Sequence, residues 1–148
     1  MAAGLHVGLQ NYLYYNAGTY GSPSWVALTI VTDASLNLDR DKAEVKARFS
    51  VFKESVPTLI GAQIEFEMLA DTSIAGYDAL RNAFINGSIV DLAFADQALA
   101  TSGCEYFRAE YYLYGFAIDQ KLENINTVKI KGDLAYSSTH TPGFTNVA

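Results

Sequence analysis

Between Ile60 and Phe84 the hydrophobic period of the chain changes, and that change constrains the fold more than any other feature. In residues 60–70, Ile64, Phe66 and Met68 alternate with Gln63, Glu65 and Glu67, the pattern of a strand with one apolar face. Beyond Asp71, the apolar residues Ile74, Tyr77, Leu80 and Phe84 recur at three- and four-residue steps, the spacing of an amphipathic helix. Asp71 or Ser73 can cap its start, and Asn86-Gly87 supplies a left-handed stop. The spacing thus predicts a helix over 73–86. Gly76 costs about 1 kcal/mol relative to alanine in a helix interior, so the first turn is its weakest part.

Strand signals fill most of the remainder. Leu5 to Tyr15 alternates early and then turns Tyr-rich, and the breaker cluster Ala17 to Ser24 reads as loop. Trp25 to Thr32 has the β-branched and aromatic content of a buried strand. Asp33 to Asp41 reads as a polar connector. In Ala43 to Phe52, Glu44, Lys46, Arg48 and Ser50 oppose Val45, Ala47, Phe49 and Val51, so a second half-polar strand is expected, ended by Pro57. Paired with 60–70 as an antiparallel hairpin, it would bring Lys46 and Arg48 near Glu65 and Glu67, where cross-strand pairs contribute roughly 0.2–1 kcal/mol each.

Further strands are expected at Ile89 to Ala95, Cys104 to Ile118 and Thr127 to Ser137. Strands, one helix, then strands give a mainly β domain, a β-sandwich or partly closed barrel with one flanking α-helix. The expected organisation is a Tyr- and Gly-rich N-terminal arm over 1–25, the β domain over 26–138 and a loose C-terminal arm over 139–148.

A chain of 148 residues suits one domain. Charged residues make up 18%, below the roughly 25% of an average globular protein, so the surface is short of solubilising groups. Burial against neighbouring copies would resolve that shortage. The net charge of −6 argues against a nucleic-acid-binding surface, which needs clustered Lys and Arg. Cations concentrate at Arg40, Lys42, Lys46, Arg48 and Lys53, whereas residues 54–119 are acidic with Arg81 and Arg108 as their cations. The basic stretch can pair with the acidic body of its own subunit or of the next. No basic region precedes an apolar run at the start, so no signal peptide is expected. No apolar stretch is long enough for a membrane helix.

Catalytic chemistry finds no foothold. His6 and His140 lack partners at metal-ligand spacing, and the acids Asp33, Asp39, Asp41 and Glu44 lack the alternation and central glycine of a calcium loop. Cys104 has no histidine placed to activate it. Glu65 and Glu67 resemble a carboxylate pair, but two acids on a polar strand face normally are solvated side chains. No catalytic residue, metal ligand or cofactor is assigned. The aromatics carry more information. Tyr12, Tyr14, Tyr15, Tyr20 and Trp25 cluster in an uncharged segment, and such residues serve core packing, sugar-binding faces and subunit interfaces. The favoured reading is intersubunit docking, with Arg40 and Lys42 as charged members of the interface.

The order of these segments resembles that of the major tail tube proteins of long-tailed phages and related injection machines. The resemblance rests on Asp33 to Ser50, on Ile64 to Asp71 followed by Tyr77 to Phe84 and Gly87, and on Gly115-Phe116 and Lys129 to Leu134. It implies a virion-tail subunit forming hexameric rings, with hairpins joined into a barrel whose acidic lumen passes DNA without holding it. It further implies stacking of rings into a tube, tape-measure and tail terminator proteins as partners, and no membrane insertion. The hairpin residues Lys46, Arg48, Glu65 and Glu67 become candidate lumen residues. Two other readings stay open: a hexameric secretion or injection tube, and a monomeric β-barrel binding a ligand or carbohydrate.

Overall fold

Two strands of unusual length organise the chain in the computed structural model, which describes residues 12–46, 48, 51–135 and 140–147. They are β3 (Val31–Val45) and β4 (Glu54–Leu69), of 15 and 16 residues, where five or six is common. At about 3.4 Å per residue, β4 spans roughly 54 Å. It pairs antiparallel with β3 from end to end, but with β7 (Thr127–Leu134) only through Gln63 to Leu69. The distal part of the hairpin therefore projects beyond the body as a two-stranded ribbon, exposed throughout from Asn37 to Gly61 at its described residues.

This register corrects several expectations. Asp33 to Asp41 is strand, not connector, because Ala34, Leu36 and Leu38 already alternate with Asp33, Ser35, Asn37 and Asp39. The polar content reflects a strand exposed over most of its length. Pro57 lies inside β4 without ending it, at a register shift opposite Lys42, and bulges are where strands accept proline. Lys46 and Arg48 follow the last β3–β4 pair, Val45 with Glu54, and so lie far along the ribbon from Glu65 and Glu67. Glu65 instead faces Ser35 and Lys131, and Glu67 faces Asp33 and Lys129. The early strand from Leu5, the faces assigned to Ala47, Phe49 and Ser50, and the end of the last expected strand at 136–137 lie outside the described residues, as does His6.

The remaining strands are β1 (Tyr12–Asn16), β2 (Trp25–Ala27), β5 (Val90–Ala95), β6 (Glu105–Asp119) and β8 (Gly143–Asn146). The described residues form one antiparallel sheet in the order β2-β1-β5-β6-β7-β4-β3, with β8 on β6. Residues 12–16 are thus a strand within the body, not part of a detached arm. Likewise 143–146 pair with β6, and Phe144 meets Phe107 edge to face at 4.9 Å. Trp25 to Thr32 is not one strand: a turn at 28–30 divides it. That turn joins the two end strands, β2 and β3, and so short a link spans at most roughly 14 Å. The sheet must therefore roll up, although its end strands are not hydrogen-bonded to each other. Two bonds hold the seam: Leu28 N–H donates to the Leu13 carbonyl at 2.8 Å, and Leu69 N–H to the Ile30 carbonyl at 3.0 Å. The expected mainly β architecture with one flanking helix is borne out, as a rolled antiparallel sheet that is not closed.

The roll encloses Leu13, Tyr15, Phe66, Met68, Leu92, Tyr111, Val128 and Ile130, together with Leu80 of the helix, each contributing roughly 1.5–3 kcal/mol by burial. The helix α1 (Ala75–Asn86) sets Tyr77 and Phe84 against Phe116 of β6. Gly87, at φ 63°, makes the left-handed stop. The expected side-chain cap is absent: Ile74 occupies the N-cap position, and Asp71 Oδ1 accepts instead from the Ser73 backbone and hydroxyl.

Gly76 is where the helix nears the seam. A Cβ there would lie 2.5 Å from Leu28 Cδ2 and 3.3 Å from Tyr15 Cε1, both in the core. Gly76→Ala should therefore destabilise by about 1–2 kcal/mol through overpacking, despite the better helix propensity of alanine, as urea unfolding will measure. The buried Tyr111 hydroxyl has no hydrogen-bond partner among the described residues. Tyr111→Phe is expected to leave stability unchanged or raise it by up to about 1 kcal/mol.

Candidate functional site: an acidic sheet face and two open edges

Side chains alternate across a sheet, so the register that buries Ile64, Phe66, Met68, Val128 and Ile130 turns their neighbours outward. The outer face of β3, β4, β7 and β6 carries the carboxylates Asp33, Asp39, Glu65, Glu67, Asp119 and Asp133, against Lys129 and Lys131. Lys131 stands beside Glu65, and Lys129 beside Glu67. The remaining acids leave the face with a negative excess. Gly115 and Gly132 open a recess of about 370 Å³ in it, bordered by Ser35, Asn37, Gln63, Glu65, Tyr114 and Lys131. A register shift between Leu113 and Gly115 lets Tyr114 stand out from the sheet.

Both edges of this four-stranded unit are open among the described residues. β3 pairs only with β4. β6 changes partners along its length: β5 covers Tyr106 to Tyr111 on one side, while β7 follows Tyr111 to Asp119 on the other. From Tyr112 onward, the β5 side of β6 has no strand against it. Exposed strand edges offer unpaired N–H and C=O groups to another chain. Arg40 and Lys42 sit on the open strand β3, both exposed, with Arg40 Nη1 donating to the Thr58 carbonyl at 3.4 Å.

The aromatic residues proposed from sequence are mostly engaged within the subunit. Tyr15 is a core residue and is corrected from an interface candidate, since its ring packs beside Leu13 in the roll. Tyr14 is half-buried, its hydroxyl accepting from Leu99 N–H at 3.3 Å, and Tyr12 is exposed. Tyr20 and Trp25 flank Arg108, whose guanidinium carbon lies 3.7 Å from the Tyr20 ring centre and 5.0 Å from that of Trp25. Arg108 Nη2 donates to the Tyr20 carbonyl and, at 2.7 Å, to Asp91 Oδ2. Burial works against the guanidinium, but the Asp91 carboxylate outweighs it and keeps Arg108 charged. Asn16 Nδ2 donates to the same carboxylate at 3.0 Å, while its Oδ1 accepts from Gly18 and Ser24. His140 stacks on Tyr20 at 3.6 Å, with Nδ1 2.7 Å from Glu110 Oε1.

Asn16, Asp91, Arg108, Glu110 and His140 thus fasten the loop 17–24 to the sheet, a set that sequence reading missed. The available hint was Arg108, an isolated cation in an acidic stretch. Elsewhere, Cys104 is buried, and burial pushes its thiol up from the ordinary value. No group of three His, Cys, Asp or Glu side chains able to hold a metal is found among the described residues. Arg108→Ala leaves the part-buried Asp91 carboxylate without its cation and with the Asn16 amide as its remaining donor, and should cost about 1–3 kcal/mol of stability. Limited proteolysis within 17–24 should accelerate in parallel.

No protein-family model matches the chain, and no curated protein matches it by sequence. Solved structures do match it in shape. The tail of an empty gene transfer agent particle, of C6 symmetry, superposes with a TM-score of 0.74 at 9% identity, covering 97% of this chain and 100% of the other. The SPP1 tail tube gives 0.78 at 10% identity, covering 96% and 80%. The baseplate of the anti-feeding prophage gives 0.62 at 6% identity, covering 99% and 97%. The rolled sheet, its projecting hairpin and its flanking helix are therefore the fold of phage-type tail tube subunits.

Proposed function

We propose that this protein is a structural subunit of a phage-type tail tube, assembling as stacked six-membered rings around a lumen for DNA. The observation that carries this reading is a four-stranded unit open at both edges, with an acidic outer face. The order β3-β4-β7-β6 alternates in direction, so β6 of one copy meets β3 of the next antiparallel when all copies share one polarity. Closure around a ring then removes both open edges of this unit. The acidic face turns inward, where like charge keeps a phosphate backbone sliding. Glu65 and Glu67 contribute to that lining, whereas Lys46 and Arg48 stand at the hairpin tips. Arg40, Lys42 and the exposed Tyr12 belong to subunit contacts.

The C6 symmetry of the gene transfer agent tail supports a ring of six. Placement in a virion tail, with tape-measure and terminator proteins as partners, follows from the same reading. The anti-feeding prophage baseplate favours a second one, an injection tube of the same architecture. Neither reading assigns the chain a catalytic role.

Negative-stain microscopy of purified protein should show hollow tubes; uniform single-subunit particles at every concentration would sink the proposal. Replacing Ile118, exposed at the open edge of β6, with lysine should block ring closure, since edge lysines oppose strand pairing. Circular dichroism should stay native while sedimentation velocity reports monomers.

A further inference from the structure

A histidine sits inside the cluster that fastens the loop 17–24. Tyr20 of that loop lies between two groups. The Arg108 guanidinium carbon is 3.7 Å from its ring centre, and the His140 ring stacks on it at 3.6 Å with 10° between the planes. Groups so close cannot share one face of the ring, so Tyr20 is sandwiched. His140 also lies three residues ahead of β8, which pairs with Glu105 to Arg108 of β6. The cluster thus ties both the loop between β1 and β2 and the approach to β8 to one strand, β6.

Charge in the cluster does not balance while His140 is neutral. Asp91 and Arg108, both largely buried, cancel each other at 2.7 Å, and Asp91 Oδ2 also takes the Asn16 amide. The Glu110 carboxylate is left over. Its side chain is 13% exposed, and its Oε1 lies 2.7 Å from His140 Nδ1. A neutral imidazole offers it a hydrogen bond from Nδ1 but no charge. Protonation at Nε2 supplies the missing cation, and His140, 33% exposed, can take that proton from solvent.

Two interactions oppose each other in the charged state. Glu110 attracts the imidazolium at 2.7 Å. Arg108 repels it across the Tyr20 ring from about 7 Å, and Coulomb energy falls with distance, so the near carboxylate wins. Tyr20 adds a cation–π contact on the face that His140 covers. The groups facing His140 are therefore Glu110 of β6 and Tyr20 of the loop, with Arg108 and Tyr106 of β6 and Asp91 of β5 behind them.

We propose that His140 is a proton-operated clasp: on gaining a proton it draws the loop 17–24 and the segment leading into β8 together against β6, and on losing it both loosen. Histidine is the side chain that changes charge between about pH 5 and 8. Because the closed clasp favours the imidazolium, its extra hold is present at the acid end and is lost as pH rises. The clasp lies within one subunit and stands apart from the tube reading.

The test uses the full chain. Cleavage within 17–24, taken relative to an unfolded substrate at the same pH, should slow by roughly three- to tenfold from about pH 8 to about pH 5.5, since opening of the loop governs it. Trp25, the single tryptophan of the chain, stands beside Arg108 at 5.0 Å, and its emission should shift to the blue in step. His140→Phe keeps a stacking ring that cannot take a proton, and should show neither change with pH. Glu110→Gln keeps a hydrogen-bond acceptor without the charge, and should flatten both. Circular dichroism checks that each variant is folded. Equal pH dependence in wild type and His140→Phe, or protection that weakens on acidification, overturns the clasp. Where His140→Phe does not fold, Glu110→Gln decides, and an undiminished pH dependence in that variant overturns it.

Discussion

The register of β4 against its two neighbours is the constraint on which the rest depends. Over Gln63 to Leu69 the strand is paired on both sides, and its alternate residues belong to two different environments. Ile64, Phe66 and Met68 lie in the core. Glu65 and Glu67 lie on the acidic face. A slip by one residue would exchange the two sets, burying carboxylates and exposing the largest core side chains. The short side chains at Gly132 and Gly115 help to lock the register. A Cβ at Gly132 would come within 2.9 Å of the Tyr112 carbonyl, so β7 cannot be shifted to bring a larger residue there.

Much of this was readable from residues 60–87. Alternation in 60–70, the change of period after Asp71 and the Gly87 stop each mark a real element, because each reports a local balance between burial and backbone geometry. Gly76 was readable as a weak point but not in its purpose. Its lack of a side chain allows the helix to approach Tyr15 and Leu28, residues sixty-one and forty-eight positions earlier in the chain. Distance in sequence also hid the fate of Asp33 to Asp41. A strand paired on one edge and exposed over most of its length needs few apolar residues, so its composition matches that of a connector. The proline at 57 misled for a related reason: at a bulge opposite Lys42 it interrupts one position of the ladder, not the strand.

The candidate site was legible in its chemistry and less so in its geography. Glu65 and Glu67 do share a polar face, yet their basic neighbours are Lys131 and Lys129, not Lys46 and Arg48, since only the true register sets cross-strand partners. The tyrosines of the early segment signalled contact, and most of those contacts turn out to be internal. Asp91 receives both Asn16 and Arg108, and Arg108 in turn supports the rings of Tyr20 and Trp25. No local pattern could have announced an ion pair that joins three separated strands and a loop.

The ribbon beyond Gln63 has a consequence for assembly. A two-stranded ribbon with no third strand is at most marginally stable in water, and holding each residue in place costs roughly 1–2 kcal/mol of conformational entropy. A subunit that must order this segment on docking binds less tightly than its contact area suggests. Weakness at each addition makes every step reversible. On the tube reading, a copy seated out of register departs before its neighbours trap it, and a long assembly corrects its errors as it grows.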